Sequence, residues 1–304
     1  MRRLRVFPVM VTLLLALLAA ACGTERPEVA VSPASTTKKV VTEKDYDTNR
    51  FSDPARIDNH WFPLKPGMQY TLEGSAIEDE RRVTRRVMFI VTDLTKVIDG
   101  VRTVVAWDRD WSQGQLVEAE LAFFAHDDDG NVWHLGQYPA EYEDGKFVGA
   151  PAWLAGLDGA KAGLAMRVEP QVGTSDYSQG LAPAAEYADR AKVREMVQES
   201  CVAVGCYHDV LVTEEWDAAD PAARQLKYYA RGVGNFRVGW TGRDEEQEVL
   251  SLVNVTQLNS QALAAASTEA LRLERFAYRA SKGLYGRTAP AARAAAAEAT
   301  TPSP

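Results

Sequence analysis

The chain has 304 residues, with 34 Lys and Arg against 42 Asp and Glu, so its formal net charge at pH 7 is −8. An acidic chain lacks the broad basic surface that binds nucleic acid or anionic lipid headgroups, and we expect no nucleic-acid partner. The length is sufficient for one large all-β domain or two smaller ones.

The N-terminus has the pattern of an export signal. Three arginines within the first five residues precede an apolar run from Val6 to Ala21, which predicts a signal peptide over residues 1–21. The run ends in "AAAC", which resembles a bacterial lipoprotein box and predicts an acyl (palmitate) anchor on Cys22. The protein is then expected outside the cell, lipid-anchored to the outer face of the cytoplasmic membrane or the cell envelope. Ordinary cleavage after the same small residues, which releases a soluble protein, is the alternative.

Two segments have compositions typical of chains without a packed core. Residues 22–50 are polar and rich in Thr, Ser and Pro, which predicts a flexible, lipid-anchored linker. Residues 284–304 are rich in Ala and Pro and predict a disordered tail. Between them we place a β-domain over residues 51–258.

Alternating apolar and polar residues run through this β-domain. In "GMQYTLEG", Met68, Tyr70 and Leu72 share one face, so "PLKPG" before them is predicted to be the turn that precedes a strand. Asp-Gly pairs separate several such runs, and this is a strong signal for two-residue hairpins. The pattern predicts an all-β fold, mostly an antiparallel meander whose sheets are curved or barrel-like. The Asp-Gly pairs are at 99–100, 129–130 and 144–145, with a further turn at "SQGQ", 112–115.

The two halves of the β-domain are similar in sequence. "TKVIDGVRTVVAWDRDW" and "SCVAVGCYHDVLVTEEW" align with their turn glycines, Gly100 and Gly205, 105 residues apart. We predict an internal repeat of about 60–150 and 165–257, joined by a Gly/Ala-rich loop, 151–173. Chance similarity between two β-meanders is the alternative.

One helix is predicted after the last strand. Residues 259–283 have a polar start at Asn259 or Ser260 and a glycine stop at Gly283. One face of this helix is apolar and is expected to lie on the sheet. Its members are Leu263, Ala266, Ala270, Leu273 and Ala277.

Cys201 and Cys206 flank a tight turn in "ESCVAVGCYHD". The exported compartment is oxidising, so a disulfide across the hairpin is the leading interpretation. Free thiols, or a metal site that includes His208, are the alternatives.

Four ordered blocks, "NHWFPLKPGMQYTLEG", "GNVWHLGQYPAEYEDGKFV", "WLAGLDGAKAGLAM" and "KYYARGVG", carry a resemblance. Over roughly residues 50–257 the chain is similar to a family of exported bacterial β-rich proteins, or lipoproteins, of uncharacterised function. The resemblance implies a fold and an exported location and brings no activity with it. At "WHLGQYP" the chain departs from the family pattern, because Gln137 replaces an acid.

Signals for catalysis or metal binding are weak in this sequence. Asp127, Asp129 and Asn131 have the odd-numbered spacing of a calcium loop, but the glycine comes fourth and Tyr138 occupies position twelve, which favours a plain turn. Glu118 and Glu120 share a strand face and could flank a sugar. A hydrolase of envelope glycan or ester would use some of His126, His134, Glu141 and Asp158. We expect no metal or other cofactor.

Aromatic residues are the more promising feature. Phe123-Phe124 and Tyr228-Tyr229 are adjacent pairs on strands, so the two side chains of each pair must point to opposite faces of the sheet. The leading interpretation is a non-enzymatic envelope lipoprotein that binds an apolar ligand or a partner surface, with the 151–173 loop as a lid. A hydrolase and a purely structural role are the alternatives. The candidate ligand-binding residues are Trp111, Phe124, Trp133, Trp153 and Tyr229.

Overall fold

The computed structural model describes residues 40–294. The signal peptide predicted at 1–21, the lipidation predicted at Cys22 and the linker up to residue 39 lie outside the described residues. Within the described range the first eight strands are β1 (Met68–Glu78), β2 (Arg81–Ile98), β3 (Val101–Ser112), β4 (Gln115–His126), β5 (Val132–Glu143), β6 (Lys146–Gly149), β7 (Trp153–Leu154) and β8 (Lys161–Met166).

Eight further strands follow, and two helices lie between β15 and β16. These strands are β9 (Tyr177–Ser178), β10 (Gly180–Leu181), β11 (Asp189–Val202), β12 (Gly205–Asp217), β13 (Ala223–Ala230), β14 (Gly234–Gly242), β15 (Val249–Gln257) and β16 (Ala292–Arg293). The helices are α1 (Ser260–Ala280) and α2 (Lys282–Tyr285). No helix within residues 40–294 is both long and apolar enough to cross a bilayer.

All strands belong to one antiparallel sheet in the order β10-β8-β5-β4-β3-β2-β1-β15-β14-β13-β12-β11-β9. Strands β6 and β7 add to β5, and β16 adds to β2. The predicted fold class, a mostly antiparallel curved meander with a C-terminal helix, is therefore confirmed.

The sheet is open, but its two ends converge on one short segment, Tyr177–Leu181. Within this segment β9 pairs with β11 at one end of the sheet, and β10 pairs with β8 at the other. Gly163 on β8 permits the close approach, because a Cβ there would lie 2.2 Å from the carbonyl carbon of Gln179. Both edges are thus covered by neighbouring parts of the same chain.

The predicted hairpin turns are present at three of the four positions. Asp99-Gly100, Gln113-Gly114 and Asp144-Gly145 each place two consecutive residues at positive φ, as a type I′ turn requires. Asp129-Gly130 instead belongs to a longer loop between β4 and β5. The hairpin β11–β12 carries a disulfide between Cys201 and Cys206, which pair directly across the two strands.

Helix α1 covers the outer face of the sheet with the predicted stripe. The helix begins after Asn259, whose side chain accepts a hydrogen bond from the Ala262 amide and caps the helix. Four of the five stripe residues are buried and Leu263 is half-buried; the buried ones are Ala266, Ala270, Leu273 and Ala277. They pack with Phe123 and its outward-facing neighbours in one apolar core.

The internal repeat stays a prediction, but one irregularity occurs in both halves. The β4–β5 pairing shifts register between Phe123 and Phe124, and the β13–β14 pairing shifts between Tyr228 and Tyr229. These positions are equivalent under the predicted spacing of 105 residues. A shift of this kind bends the strand locally, so it favours the same curvature in both halves.

Three segments differ from their predicted character. Residues 40–50, assigned to the linker, contain two short 3₁₀ helices, and Tyr46 packs against Trp133 with ring centroids 5.2 Å apart. The 151–173 segment extends the sheet through β7 and β8 with buried side chains, so it is not a lid. Residues 284–294 of the predicted tail contain buried Tyr285 and β16.

A buried ion pair connects α1 and residues 289–291 to β2 of the sheet. Lys96 Nζ on β2 lies 2.9 Å from Glu274 Oε1, and the two side chains are 0% and 3% exposed. Lys96 also donates to the hydroxyl of Tyr278 and the carbonyl of Ala289, and Glu274 accepts from the Ala291 amide. Every strong polar group of the pair therefore has a partner.

Removing one member of this pair should destabilise the protein strongly. In Lys96→Met the Glu274 carboxylate stays buried without a cation, so we expect a loss of about 3–5 kcal/mol in the free energy of unfolding, measured by urea denaturation. Lys96→Met/Glu274→Leu should recover part of the loss. The matched control is Arg272→Met, which breaks an exposed pair with Glu269 and should cost less than about 1 kcal/mol. Equal losses in Lys96→Met and the control would contradict this expectation.

Candidate ligand-binding cavity

The concave face of the sheet encloses a cavity of about 430 Å³. Inward-facing residues of β1 to β5 and of β11 to β15 form its wall, and residues 62–64 close one side. The volume lies within the range of small-molecule pockets in proteins. The cavity therefore has the size of a ligand site, and its two ends differ in chemistry.

One end of the cavity is apolar and aromatic. Phe62 contacts Phe124 and Tyr229 with ring centroids 5.3 Å and 6.4 Å apart. The geometry with Phe124 is edge-to-face, which aromatic pairs prefer. The apolar wall at this end is completed by Leu64, Tyr70, Leu72, Phe89 and Leu250.

The stretch that precedes β1 forms the closure of this end. The side-chain oxygen of Asn59 accepts hydrogen bonds from the Trp61 and Phe62 amides, at 2.8 Å and 3.1 Å. Its nitrogen donates to the carbonyls of Gly130 and Arg167. Asn59 thereby folds the stretch into a tight turn that presents Phe62 to the cavity. Sequence reasoning assigned this stretch to a turn before a strand and did not identify Phe62 as a wall residue.

The other end of the cavity is acidic. Along the inward face of β4, Phe124 and Ala122 are followed by Glu120 and then Glu118, so the wall changes from aromatic to charged. Asp108 and Asp110 follow the same face of β3. Asp108 lies directly opposite Glu120, and Asp110 lies directly opposite Glu118. Like charges in directly opposed positions destabilise a sheet, so this placement is not explained by folding alone.

These carboxyls hold their protons more tightly than free ones. Burial, followed by the charges of Asp110 and Glu118, raises the pKa of Asp108 well above its ordinary value. Burial and the neighbouring acids raise the pKa of Glu120 in the same way, and burial and Glu118 raise the pKa of Asp110 to about 7. At this end of the cavity, burial and mutual repulsion therefore favour the protonated form of the carboxyls more than water does.

Two basic side chains neutralise part of the acidic end. Lys227 Nζ lies 2.8 Å from Glu215 Oε2, and Glu215 also accepts from the hydroxyl of Tyr229 at 3.3 Å. Arg85 contacts three acids, at 3.0 Å, 3.5 Å and 3.8 Å; these are Glu78, Glu248 and Asp110. Among the described residues, no Lys, Arg or His nitrogen lies within 4.0 Å of the Asp108 or Glu120 carboxylate. The central acids of the wall therefore have no cationic partner there.

His134 on β5 is the buried imidazole of the wall. It stacks on Phe124 and meets Trp153 edge-on, with ring centroids 5.1 Å and 4.9 Å apart. Burial lowers the pKa of His134 to about 4, so the ring is neutral near pH 7. Among the described residues its Nε2 has no hydrogen-bond partner, although the residue is only 7% exposed. A buried polar atom without a partner is costly unless something else occupies the site.

The structure separates the five candidate ligand-binding residues into two groups. Phe124 and Tyr229 line the cavity. Trp111 lies on the opposite face of β3 from Asp108 and Asp110 and contacts Arg86 and Arg109 there. Trp133 and Trp153 are buried in the outer core. These three tryptophans therefore do not contribute to the cavity wall.

The residues suggested for a hydrolase are not brought together. His134 faces the cavity, but His126 at the end of β4 lies 3.8 Å from Asp58, and Asp158 lies 2.6 Å from Arg287. Glu141 is exposed on β5, where it lies opposite Glu118. The position of His134 in the cavity wall follows from strand pairing and not from its spacing in the sequence. The spacing of His126 and Asp158 likewise gives no indication of where they lie relative to His134.

The loop proposed as a calcium candidate is closed by its own hydrogen bonds. The Asp127 carboxylate accepts from the amides of Asp129 and Asn131, from the side chain of Asn131 and from Nε1 of Trp133. Across residues 40–294, one group of three or more potential metal ligands has its ligand atoms within 4.8 Å of one another, and it lies outside the cavity. Its members are Glu199, Cys201 and Cys206, and both sulfurs are in the disulfide.

No family model matches the sequence, and no curated protein matches it. Among solved structures, the chain is similar to a Bacteroides fragilis protein described as a "putative exported protein with YmcC-like fold", with 12% identity, 65% of this chain and 99% of that chain covered, and a TM-score of 0.39. It is also similar to a "putative lipoprotein" of Parabacteroides distasonis, with 9% identity, the same coverage and a TM-score of 0.38.

The half-buried acids of the cavity wall predict how stability depends on pH. A carboxyl whose pKa is raised by folding keeps its proton in the folded protein after the unfolded chain has lost it, so stability falls as pH rises above about 4. Asp108→Asn removes this effect. We expect equal stabilities of variant and wild type near pH 4, and a variant more stable by roughly 1–3 kcal/mol at pH 7.5, in urea denaturation.

His134 acts in the opposite direction, because its lowered pKa makes stability rise between pH 4 and about 6.5. Comparing variant and wild type at each pH cancels this contribution. The control is Asp144→Asn in an exposed turn, which should leave the difference near zero. A stability difference for Asp108→Asn that stays constant or shrinks as pH rises would contradict the assignment.

Proposed function

We propose that this protein is an exported, lipid-anchored binding protein that holds a small, mainly apolar ligand inside the curved sheet. The observation that carries the proposal is the 430 Å³ cavity whose wall is aromatic and apolar at one end. A folded interior of this kind is normally filled by its own side chains. The open space that Phe62, Phe124 and Tyr229 line is therefore best explained by a ligand.

The apolar end is suited to binding a hydrocarbon or aromatic group. Burying such a group stabilises the complex by about 25 cal/mol for each Å² of apolar surface removed from water. Asn59 fixes the backbone at Phe62, and the rings of Phe62 and Phe124 pack on each other and on His134, so little side-chain freedom is lost on binding. The polar end of the wall then fixes the orientation of the ligand.

The location in the proposal comes from the sequence. The signal pattern over residues 1–21 and the small residues before Cys22 support export and lipidation. The disulfide between Cys201 and Cys206 is compatible with an oxidising compartment. A lipid anchor would keep the cavity close to the membrane, where apolar molecules are concentrated.

Filling the cavity should block binding without unfolding the protein. Ala122 lies on the wall between Glu120 and Phe124, so Ala122→Phe would place a ring in the cavity. The probe is N-phenyl-1-naphthylamine, which is uncharged near pH 7 and fluoresces in apolar surroundings. We expect saturable binding to the wild type and an affinity reduced at least about 10-fold in Ala122→Phe.

The matched control is Ala265→Phe, which adds the same ring on the exposed face of α1 and should bind the probe as the wild type does. Circular dichroism and urea denaturation confirm that both variants are folded. Absence of saturable binding to the wild type, or undiminished binding to Ala122→Phe, would refute the proposed function.

A further inference from the structure

The cavity wall carries many more acidic than basic side chains. Its lining acids are Asp108, Asp110, Glu120, Asp189, Glu215 and Glu248. Lys227 is the lysine that lines the cavity within the described residues, and Arg85 contacts two of the lining acids, Asp110 and Glu248. Burying an excess of carboxylates is unfavourable unless they are protonated or meet a cation. A ligand that brings positive charge would remove this penalty.

Lys227 shows how this wall binds an ammonium group. Its Nζ lies 2.8 Å from Glu215, and the charge of Glu215 keeps the pKa of Lys227 above its ordinary value despite burial. Asp108 and Glu120 offer the same kind of oxygen, directly opposite each other on neighbouring strands. Among the described residues, neither has a basic group within 4.0 Å. The wall therefore has a second place for an ammonium group, next to the open volume.

An independent observation indicates that the cavity is built for a ligand with a polar group. His134 is more than nine-tenths buried, lines the cavity, and has no hydrogen-bond partner at Nε2 among residues 40–294. Burying this nitrogen without a partner is costly, so a ligand that hydrogen-bonds to Nε2 would remove the cost.

The aromatic end is also compatible with positive charge. Aromatic faces attract ammonium groups within about 6 Å, and more strongly where water is excluded. The faces available in the cavity belong to Phe62, Phe124 and Tyr229. An amine with a hydrocarbon part thus meets a suitable surface along the whole wall, whereas a carboxylate would add one more negative charge to a wall with an excess of acids.

Resting on the proposed function, we propose that the ligand is an organic amine, with its ammonium group between Asp108 and Glu120 and its apolar part against Phe62, Phe124 and Tyr229. The cavity selects cations over neutral or anionic molecules of the same length. We prefer an amine to a metal ion as the cation, because among residues 40–294 the ligand atoms of the cavity acids do not form a compact group of three.

Three eight-carbon probes test this selectivity, because they differ only in the head group. Octylamine, 1-octanol and octanoate each compete with bound N-phenyl-1-naphthylamine at pH 7.5. A hydrogen-bonded charge is expected to favour octylamine over 1-octanol by about 10- to 100-fold, with octanoate weakest. Equal displacement by amine and alcohol, or strongest displacement by octanoate, refutes the amine proposal and leaves the proposed function standing. No displacement by any of them, with no probe binding, refutes both.

Isosteric variants locate the ammonium site. Asp108→Asn/Glu120→Gln removes both charges, keeps the shape of the wall and should not unfold the protein. We expect its octylamine affinity to fall about 10-fold while its 1-octanol affinity stays within about 2-fold of wild type. Glu143→Gln, an exposed acid on β5, is the control. An unchanged octylamine affinity in the double variant refutes the placement of the ammonium group between Asp108 and Glu120. Displacement of the probe by calcium or magnesium chloride, without displacement by octylamine, refutes it as well.

The pH dependence of octylamine affinity provides a readout that a merely apolar site would not give. Octylamine stays protonated up to about pH 10, as a lysine side chain does, while the carboxyls lose protons as pH rises. Octylamine affinity should therefore increase from pH 5.5 to pH 8 and 1-octanol affinity should not; a flat octylamine profile refutes the proposal. The titratable groups that face the cavity or contact its acids are Asp108, Asp110, Glu118, Glu120, Asp189, Glu215, Glu248, Arg85, Lys227, His134, Tyr70, Tyr187 and Tyr229.

Discussion

The convergence of both sheet edges on Tyr177–Leu181 is the constraint on which the rest of the structure depends. A meander of long antiparallel strands has two exposed edges, and here a single five-residue segment pairs with both. This forces the sheet to curl, so that one face becomes an interior. Gly163 makes the contact sterically possible. The cavity is thus a consequence of how the edges are covered, and its wall is the inward face of nearly every long strand.

Curling also gives the central strands two buried faces. On β4, Phe123 packs outward beneath α1 and Phe124 packs inward onto Phe62. Such strands carry adjacent aromatic residues rather than simple alternation, which accounts for the aromatic content of the sequence. The inward face changes from aromatic to acidic within a few residues, and the contrast between the two ends gives a ligand a defined orientation.

Alternation, Asp-Gly turns and the Asn259 start were sufficient to predict the meander and α1, because each depends on neighbours in the sequence. The cavity depends on register between strands. Glu118 and Glu120 were placed on one face from sequence, but Asp108 opposite Glu120 could be found only from the β3–β4 pairing. The three tryptophans outside the cavity show the same limit, since aromatic character does not reveal which face a curled sheet turns inward.

The segment after α1 shows how composition can mislead. Residues 284–294 are dominated by small residues and Pro, yet their backbone carbonyl and amide groups at Ala289 and Ala291 complete the polar environment of Lys96 and Glu274. Those contacts are made by main-chain atoms, so side-chain chemistry gives no indication of them. A protein truncated after residue 283 would therefore lose the main-chain hydrogen bonds to Lys96 and Glu274 and expose this ion pair to water. Its lower solubility or stability would then reflect the truncation and not the β-domain itself.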